Sequence, residues 1–158
     1  MKTLTEGDVR RALARVMDPE IPTASIADLG MIERVGLSGN AIEVDLLPTF
    51  AGCPALDVIR TDVSRALAEL APGREACVRF VLDPPWTTER VNEAGRASLN
   101  EHGIAPPLLQ VGRKPQAIAC PYCGATSTVE ESAFGPTPCR TIRYCPSCRN
   151  PFEGFKQK

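Results

Sequence analysis

The sequence predicts an α+β chain in two unequal units: a small α/β domain, with a three-stranded sheet and helices, followed by a smaller metal-binding module. Three observations carry this reading. Apolar residues recur at strand and helix spacings through about the first hundred positions; a proline-rich passage then breaks the pattern at Ile104-Ala105-Pro106-Pro107; and beyond it lie two Cys-x-x-Cys pairs, Cys120/Cys123 and Cys145/Cys148. The expected organisation is therefore a domain over 1–103, a linker over 104–116 and a cysteine-rich module over 117–158. At 158 residues and 43% hydrophobic content the chain has material for a real core.

Charge and cysteine usage narrow the function classes. Eighteen basic residues against 19 acidic ones give a net charge of -1, so no global field draws in nucleic acid or an anionic membrane. The polar start and the lack of any run of about 18 apolar residues argue against a secretion signal or a membrane span, and a soluble, cytoplasmic protein is expected. In that setting seven cysteines are thiols and metal ligands rather than disulfides.

Thr5 followed by Asp8 has capping-box spacing, and Val9, Leu13 and Val16 recur at helical intervals, which predicts a first helix from about Glu6 to Met17. Pro19 disfavours helix at Asp18, so Asp18-Pro19-Glu20-Ile21-Pro22 reads as an extended acidic turn. Met31 to Leu37, the turn residues Ser38-Gly39-Asn40, and the alternation of Ile42, Val44 and Leu46 predict a β-hairpin. A long amphipathic helix follows from Pro54, with Leu56, Ile59, Val63, Leu67 and Leu70 on one stripe, ending at Ala71-Pro72-Gly73. Ala76 to Leu82 is the third strand, with Cys77 in mid-strand as a packing residue. Asp83-Pro84-Pro85-Trp86 forms a rigid connector whose tryptophan either plugs the sheet edge or joins a binding surface. Thr87 or Thr88 can cap a helix running to about Glu101, with His102 as a solvated C-terminal residue.

Thr49-Phe50-Ala51-Gly52-Cys53-Pro54 lies where the second strand gives way to the long helix. Pro54 suits a first helical position, which makes Cys53 the expected N-cap. There the thiol would face unpaired backbone amides and the positive end of the helix, conditions that favour thiolate. Two readings stand: a reactive or metal-binding cysteine, or a small buried hydrophobe.

The two cysteine pairs can each place two thiolates on one side of a tight turn, and together they complete a tetrahedron. The 21 residues between Cys123 and Cys145 can form a hairpin, and the segment is too small for much core, so metal would supply its folding free energy. Thr126 to Val129, Thr141 to Tyr144 and Phe152 to Phe155 are the expected short strands of a zinc-ribbon-like module. Zinc is the default for Cys120, Cys123, Cys145 and Cys148, with iron or an iron–sulfur cluster as the alternative. Cys139 is a fifth thiol, read either as an alternative ligand or as a thiol outside the site. Arg140, Arg143, Arg149, Lys156 and Lys158 against Glu153 make the tail locally basic, a solvated face or a dock for an acidic protein.

Taken in order, Asp18-Pro19-Glu20, Asp28-Leu29-Gly30 and Thr49-x-x-Gly52-Cys53-Pro54 resemble the signature of the SufT-like iron–sulfur assembly domain, a small α/β fold. Adding Asp83-Pro84-Pro85-Trp86-Thr87, Gly103-Ile104-Ala105-Pro106-Pro107, Phe134-Gly135, Cys139, Cys145-x-x-Cys148, Pro151-Phe152 and Phe155-Lys156, the whole chain resembles the PaaD family, also called PaaJ. Members are accessory subunits of the bacterial ring-1,2-phenylacetyl-CoA epoxidase. The resemblance implies a part in aerobic phenylacetate degradation, as a non-enzymatic factor that helps mature the iron–sulfur cluster or iron centre of the oxygenase or reductase components. The implied partner is foremost the iron–sulfur flavoprotein reductase. It also implies that Cys53 transiently holds iron or a cluster, with Asp18, Glu20, Thr49 and Gly52 shaping its surroundings, and that the four paired cysteines form a structural metal site.

The residues agree on one exclusion: with a single histidine the chain has no pair of Glu-x-x-His motifs for a di-iron site, and it shows no dinucleotide or phosphate-loop fingerprint. Two functions remain open. One is the metal-centre assembly factor; the other is a non-catalytic zinc-ribbon interaction subunit that holds the complex together, with Cys53 structural. Thiol–disulfide exchange is disfavoured, because no thioredoxin-like unit surrounds the Cys-x-x-Cys pairs. Pairing with a second copy through the sheet edge is left open.

Overall fold

A computed structural model describes residues 3–107 and 117–156 of the chain. Most of the expected linker, including Gly112-Arg113-Lys114-Pro115, lies outside the described residues, as does Lys158. The architecture is mixed α and β, with three α-helices and two sheets among the described residues. The chain divides between Trp86 and Thr87, earlier than the boundary expected at residue 103.

In the first unit, helix α1 (Glu6–Leu13) begins with the expected capping box: Thr5 Oγ1 accepts from the Asp8 amide at 3.2 Å and Asp8 Oδ2 accepts from the Thr5 amide at 3.0 Å. The helix ends four residues before Met17. Met17 is instead drawn into an antiparallel bridge with Ser25, and the Asp18 amide donates to Ala24 O at 2.9 Å, so long-range pairing overrides the helical pattern. Strands β1 (Ile32–Ser38) and β2 (Ala41–Leu46) form the expected hairpin, with Gly39 at positive φ and Asn40 as its two loop residues. Helix α2 (Leu56–Leu70) then crosses over to β3 (Glu75–Phe80), which pairs parallel to β2. The sheet order is β1-β2-β3.

Val35, Ile42, Val44 and Leu46 are buried in the sheet, and Val9, Leu13, Ile59, Val63 and Leu67 on the helices; α1 packs on α2 and β1, and α2 on β3. On the other face, cross-strand partners Arg34, Asp45 and Arg79 form a row over all three strands. Arg34 Nε and Arg79 Nη2 each reach Asp45 at 2.8 Å, and Arg34 Nη2 reaches Glu43 at 2.9 Å. Burial pushes the Asp45 carboxyl up, but hydrogen bonds from Arg34 and Arg79 overcome it and hold the group below its ordinary range. Cys77 is half-buried beside Glu43 in this register. The strand stops at Phe80, and Leu82, expected within it, is 65% exposed.

In the second unit a short 3₁₀ turn (Thr88–Arg90) precedes α3 (Glu93–Glu101). Neither Thr87 nor Thr88 caps α3. Val91 is extended and buried, which breaks the turn from the helix, and Asn92 Oδ1 takes the Gly95 amide at 2.8 Å. His102 is exposed at the C-cap, as expected. Gly103 has φ 73, and a Cβ there would come within 3.0 Å of the Tyr122 hydroxyl, so only glycine fits. Strand β4 (Ile104–Ala105), placed by the sequence pattern in the linker, pairs parallel to β7 (Asn150–Phe155). The second sheet runs β4-β7-β6-β5, with β5 at Val129–Ser132 and β6 at Arg140–Cys145. Because α3 packs on β4, the segment after Trp86 belongs with the cysteine-rich module.

Candidate functional site

The two knuckles are built alike. Gly124 donates to Cys120 O at 2.9 Å and Arg149 donates to Cys145 O at 2.8 Å, each closing a turn around a Cys-x-x-Cys pair. Both closing residues have positive φ, 75 at Gly124 and 59 at Arg149. The β6–β7 pairing, with Cys145 opposite Asn150, holds the second knuckle, and the first lies on a small core of Ala105, Cys120, Cys145 and Phe152.

Four thiols meet here. Cys120 and Cys148 Sγ are 3.7 Å apart, Cys123 and Cys145 Sγ 3.6 Å, and all four lie within 4.8 Å of one another. A tetrahedral zinc at the usual Zn–S length separates its sulfurs by about 3.8 Å. The donor set therefore fits a thiolate-bound metal ion, with no further ligand needed. The Cys148 amide helps pull the Cys145 thiol down to about 6. At Cys123 the Ala125 amide favours thiolate, but crowding by Cys145 and the other two thiols pushes the group up to about 12. Ionising one of these thiols disfavours ionising the next, and a bound cation would offset the accumulated negative charge.

Cys139 lies outside the four-thiol cluster. It precedes β6, six residues before Cys145 and thus about 20 Å away along extended chain. It is buried, with its Sγ 3.2 Å from Thr137 Oγ1. No disulfide joins any of the seven cysteines.

Cys53 sits in the first unit, in the loop from β2 to α2. It is not the N-cap: that residue is Ala55, without a side-chain cap. The Leu56 amide reaches back to Cys53 O at 3.3 Å, so Pro54 and Ala55 form a tight turn ahead of the helix. The half-buried thiol is two residues further from the helix end than expected. Its position in the topology is nonetheless distinctive. β2, α2 and β3 make a βαβ unit, and its βα loop opens at the carboxyl ends of the two parallel strands, where open α/β sheets place their ligands.

Other singled-out segments are bonded to that end of the sheet. Leu47, at the start of the loop, donates to Met31 O at 2.7 Å; Val81 donates to Leu46 O at 2.8 Å; and Trp86 Nε1 donates to Leu29 O at 2.8 Å. The Asp28-Leu29-Gly30 turn and the Asp83-Pro84-Pro85-Trp86 connector are thereby tied together, and Trp86, only 5% exposed, packs there. Thr49 and Gly52 share the loop with Cys53. A Cβ on Gly52 would lie 3.3 Å from the Phe50 ring. Asp18 does local work: its Oδ1 accepts the Glu20 and Ile21 amides at 2.8 and 3.0 Å. Glu20 supplies its amide to that turn. Sequence reasoning missed a second staple, in which Ser25 Oγ donates to Asp28 Oδ2 at 2.7 Å and accepts the Asp28 amide at 3.0 Å; the Ser25-x-x-Asp28 spacing was its signal.

Comparison with known proteins finds two family matches along the chain. Residues 6–79 match the family described as iron–sulfur cluster assembly protein, and residues 105–156 match the PaaD zinc beta ribbon domain. A protein of Escherichia coli (strain K12), named as one of the subunits of 1,2-phenylacetyl-CoA epoxidase, is 36% identical over 148 residues, covering 91% of this chain and 88% of the relative. The chain belongs to the PaaD family. Two further likenesses each span only part of the chain. The Fe–S protein maturation auxiliary factor YitW of Bacillus subtilis (strain 168) is 28% identical over 63% of this chain and 97% of its own length. The crystal structure of a domain of unknown function, DUF59, from Bacillus anthracis aligns with a TM-score of 0.56 at 30% identity, covering 60% of this chain and 90% of that one. The α+β architecture and the ribbon with its thiol cluster agree with the fold class expected from sequence. Among the described residues no helix is long and apolar enough to cross a membrane.

Proposed function

We propose that this PaaD-family chain is a cytoplasmic assembly factor that helps mature a metal centre of a phenylacetyl-CoA epoxidase during aerobic phenylacetate degradation, and that it performs no oxygenase chemistry itself. One observation carries the reading: a half-buried cysteine, Cys53, in the βα loop at the carboxyl ends of a parallel strand pair. The Cys53 thiolate receives iron or an iron–sulfur cluster as cargo. It releases the cargo by ligand exchange, its iron–sulfur bond breaking as a client thiolate forms another, with no net electron transfer. Thr49 and Gly52 shape the loop, and Asp18 and Glu20 fix the preceding turn. The client assigned first is the iron–sulfur flavoprotein reductase of the epoxidase. Cys120, Cys123, Cys145 and Cys148 hold zinc as the resident structural ion, iron being the alternative.

The second reading, an interaction subunit that only holds the complex together, is favoured by the completeness of the four-thiol cluster, which needs nothing from Cys53. Metal and acid-labile sulfide content of protein purified without oxygen separates the two. Iron and sulfide that vanish in Cys53→Ser while zinc stays support delivery; one zinc per chain in both proteins, with no iron, supports the interaction subunit.

A further inference from the structure

We propose that the loop between β5 and β6 presents Phe134, flanked by Lys156, as an anchor for a partner protein offering an apolar pocket with an acidic rim. Phe134 is 82% exposed, whereas Phe152 and Phe155 of the same unit are 4% and 3% exposed. An isolated apolar residue on a surface is ordinary; a large aromatic ring on a loop with a tightly fixed backbone is different, because the backbone share of its ordering cost has been met before any partner arrives.

The loop is fixed at several points. Ser132 Oγ both accepts the Phe134 amide and donates to Phe134 O, each at 3.0 Å. The next amide, Gly135, donates to Arg140 O at 3.0 Å, and a Cβ at Gly135 would come within 2.9 Å of the Arg140 carbonyl carbon. The Arg140 amide in turn donates to Thr137 O at 3.1 Å. Glycine at 135 thus lets the loop lie flat on β6 while Phe134 points outward.

The neighbouring charges indicate what the ring meets. Arg140 is paired with Glu153 at 2.7 Å and Arg143 with Glu130 at 3.1 Å, so those cations are neutralised within the unit. Lys156 is different. Its backbone amide is held by Cys139 O at 2.8 Å, its Nζ lies 5.4 Å from the Phe134 ring centroid, and among the described residues it meets no carboxylate. A cation beside an exposed ring matches an apolar pocket rimmed by carboxylates, the pairing of aromatic anchor and complementary charge common at protein interfaces. A membrane is a poorer match, since one ring and one cation on a chain of net charge -1 give little interfacial affinity.

The assignment rests on the proposed function only for which proteins to test. Full-length chain is titrated into the purified oxygenase and reductase components of the epoxidase, as wild type, Phe134→Ala, Lys156→Glu and Lys156→Arg, with metal content and circular dichroism confirming that each variant is folded. The expected result is binding by wild type, roughly ten- to hundredfold weaker binding by Phe134→Ala, clear weakening by Lys156→Glu, and near-wild-type binding by Lys156→Arg. Wild type binding neither component overturns the partner class of the proposed function and the docking assignment with it. Wild type and Phe134→Ala binding equally overturns the docking assignment alone. So does a Phe134→Ala effect seen only in self-association by sedimentation, or only in binding to anionic vesicles.

Discussion

Arg149 holds a backbone conformation that suits it poorly. At φ 59 it closes the second knuckle, the role Gly124 plays at φ 75 in the first, and a non-glycine residue in that region costs about 1 kcal/mol or more. Arg149→Gly is therefore expected to raise the stability of the metal-loaded protein by about 1 kcal/mol, offset in part by the greater freedom of glycine in the unfolded chain, whereas Arg149→Val lowers it. Thermal denaturation at fixed metal loading measures both. The cysteines divide just as sharply. Cys145 is fully buried within the thiol cluster, so Cys145→Ser is expected to lose the bound metal, while Cys139→Ser keeps it; metal analysis of the two variants checks the pair. Sequence spacing was enough to find the four cluster cysteines, because each knuckle is a local turn. It did not separate Cys139 from them, since six residues mean nearness in a turn but about 20 Å on a strand.

At the scale of elements, local chemistry was read correctly where the deciding residues are neighbours in sequence. The Thr5/Asp8 capping box and the Gly39-Asn40 hairpin loop are of this kind. Reading failed where a distant partner decides: α1 stops for the Met17–Ser25 bridge, β4 exists only through its pairing with β7, and α2 begins after a turn that displaces Cys53 from the cap. The Arg34–Asp45–Arg79 row was equally hidden, as it depends on register across three strands. That row makes a pH prediction. The folded-state pKa of Asp45 is lowered from its ordinary value of 3.8, so its stabilising contribution is present above that value and is lost as pH falls through the lower, folded one. Asp45→Asn should cost about 1 kcal/mol near neutrality, a modest figure because both arginines are half-exposed. It should also flatten the loss of stability below about pH 4, as denaturant melts across roughly pH 2–7 would show.

For the whole molecule, the two units differ in what holds them folded. The first has an apolar core drawn from α1, α2 and the three-stranded sheet, with Leu13, Ile42, Val44, Ile59, Val63 and Leu67 at most 1% exposed. In the second, Val91, Leu99, Ile104 and Phe155 are also buried, but among the described residues the core at the thiol cluster joins Ala105, Cys120, Cys145 and Phe152, two of which are members of the cluster itself. Without a cation, the same arrangement crowds four sulfurs within 4.8 Å, where hydrogen bonding that favours the Cys145 thiolate pushes the Cys123 thiol up. Folding of this part is therefore expected to be coupled to metal binding. A chelator strong enough to strip the metal is expected to abolish the β-structure of residues 129–155 and leave the first unit folded. Hydrogen exchange followed by mass spectrometry resolves the two: amides of β5, β6 and β7 should lose protection on chelation and regain it when zinc is restored, while those of α2 and β2 stay protected throughout. Equal loss of protection in both units would mean that the first depends on the metal as well, and that its apolar core is insufficient by itself.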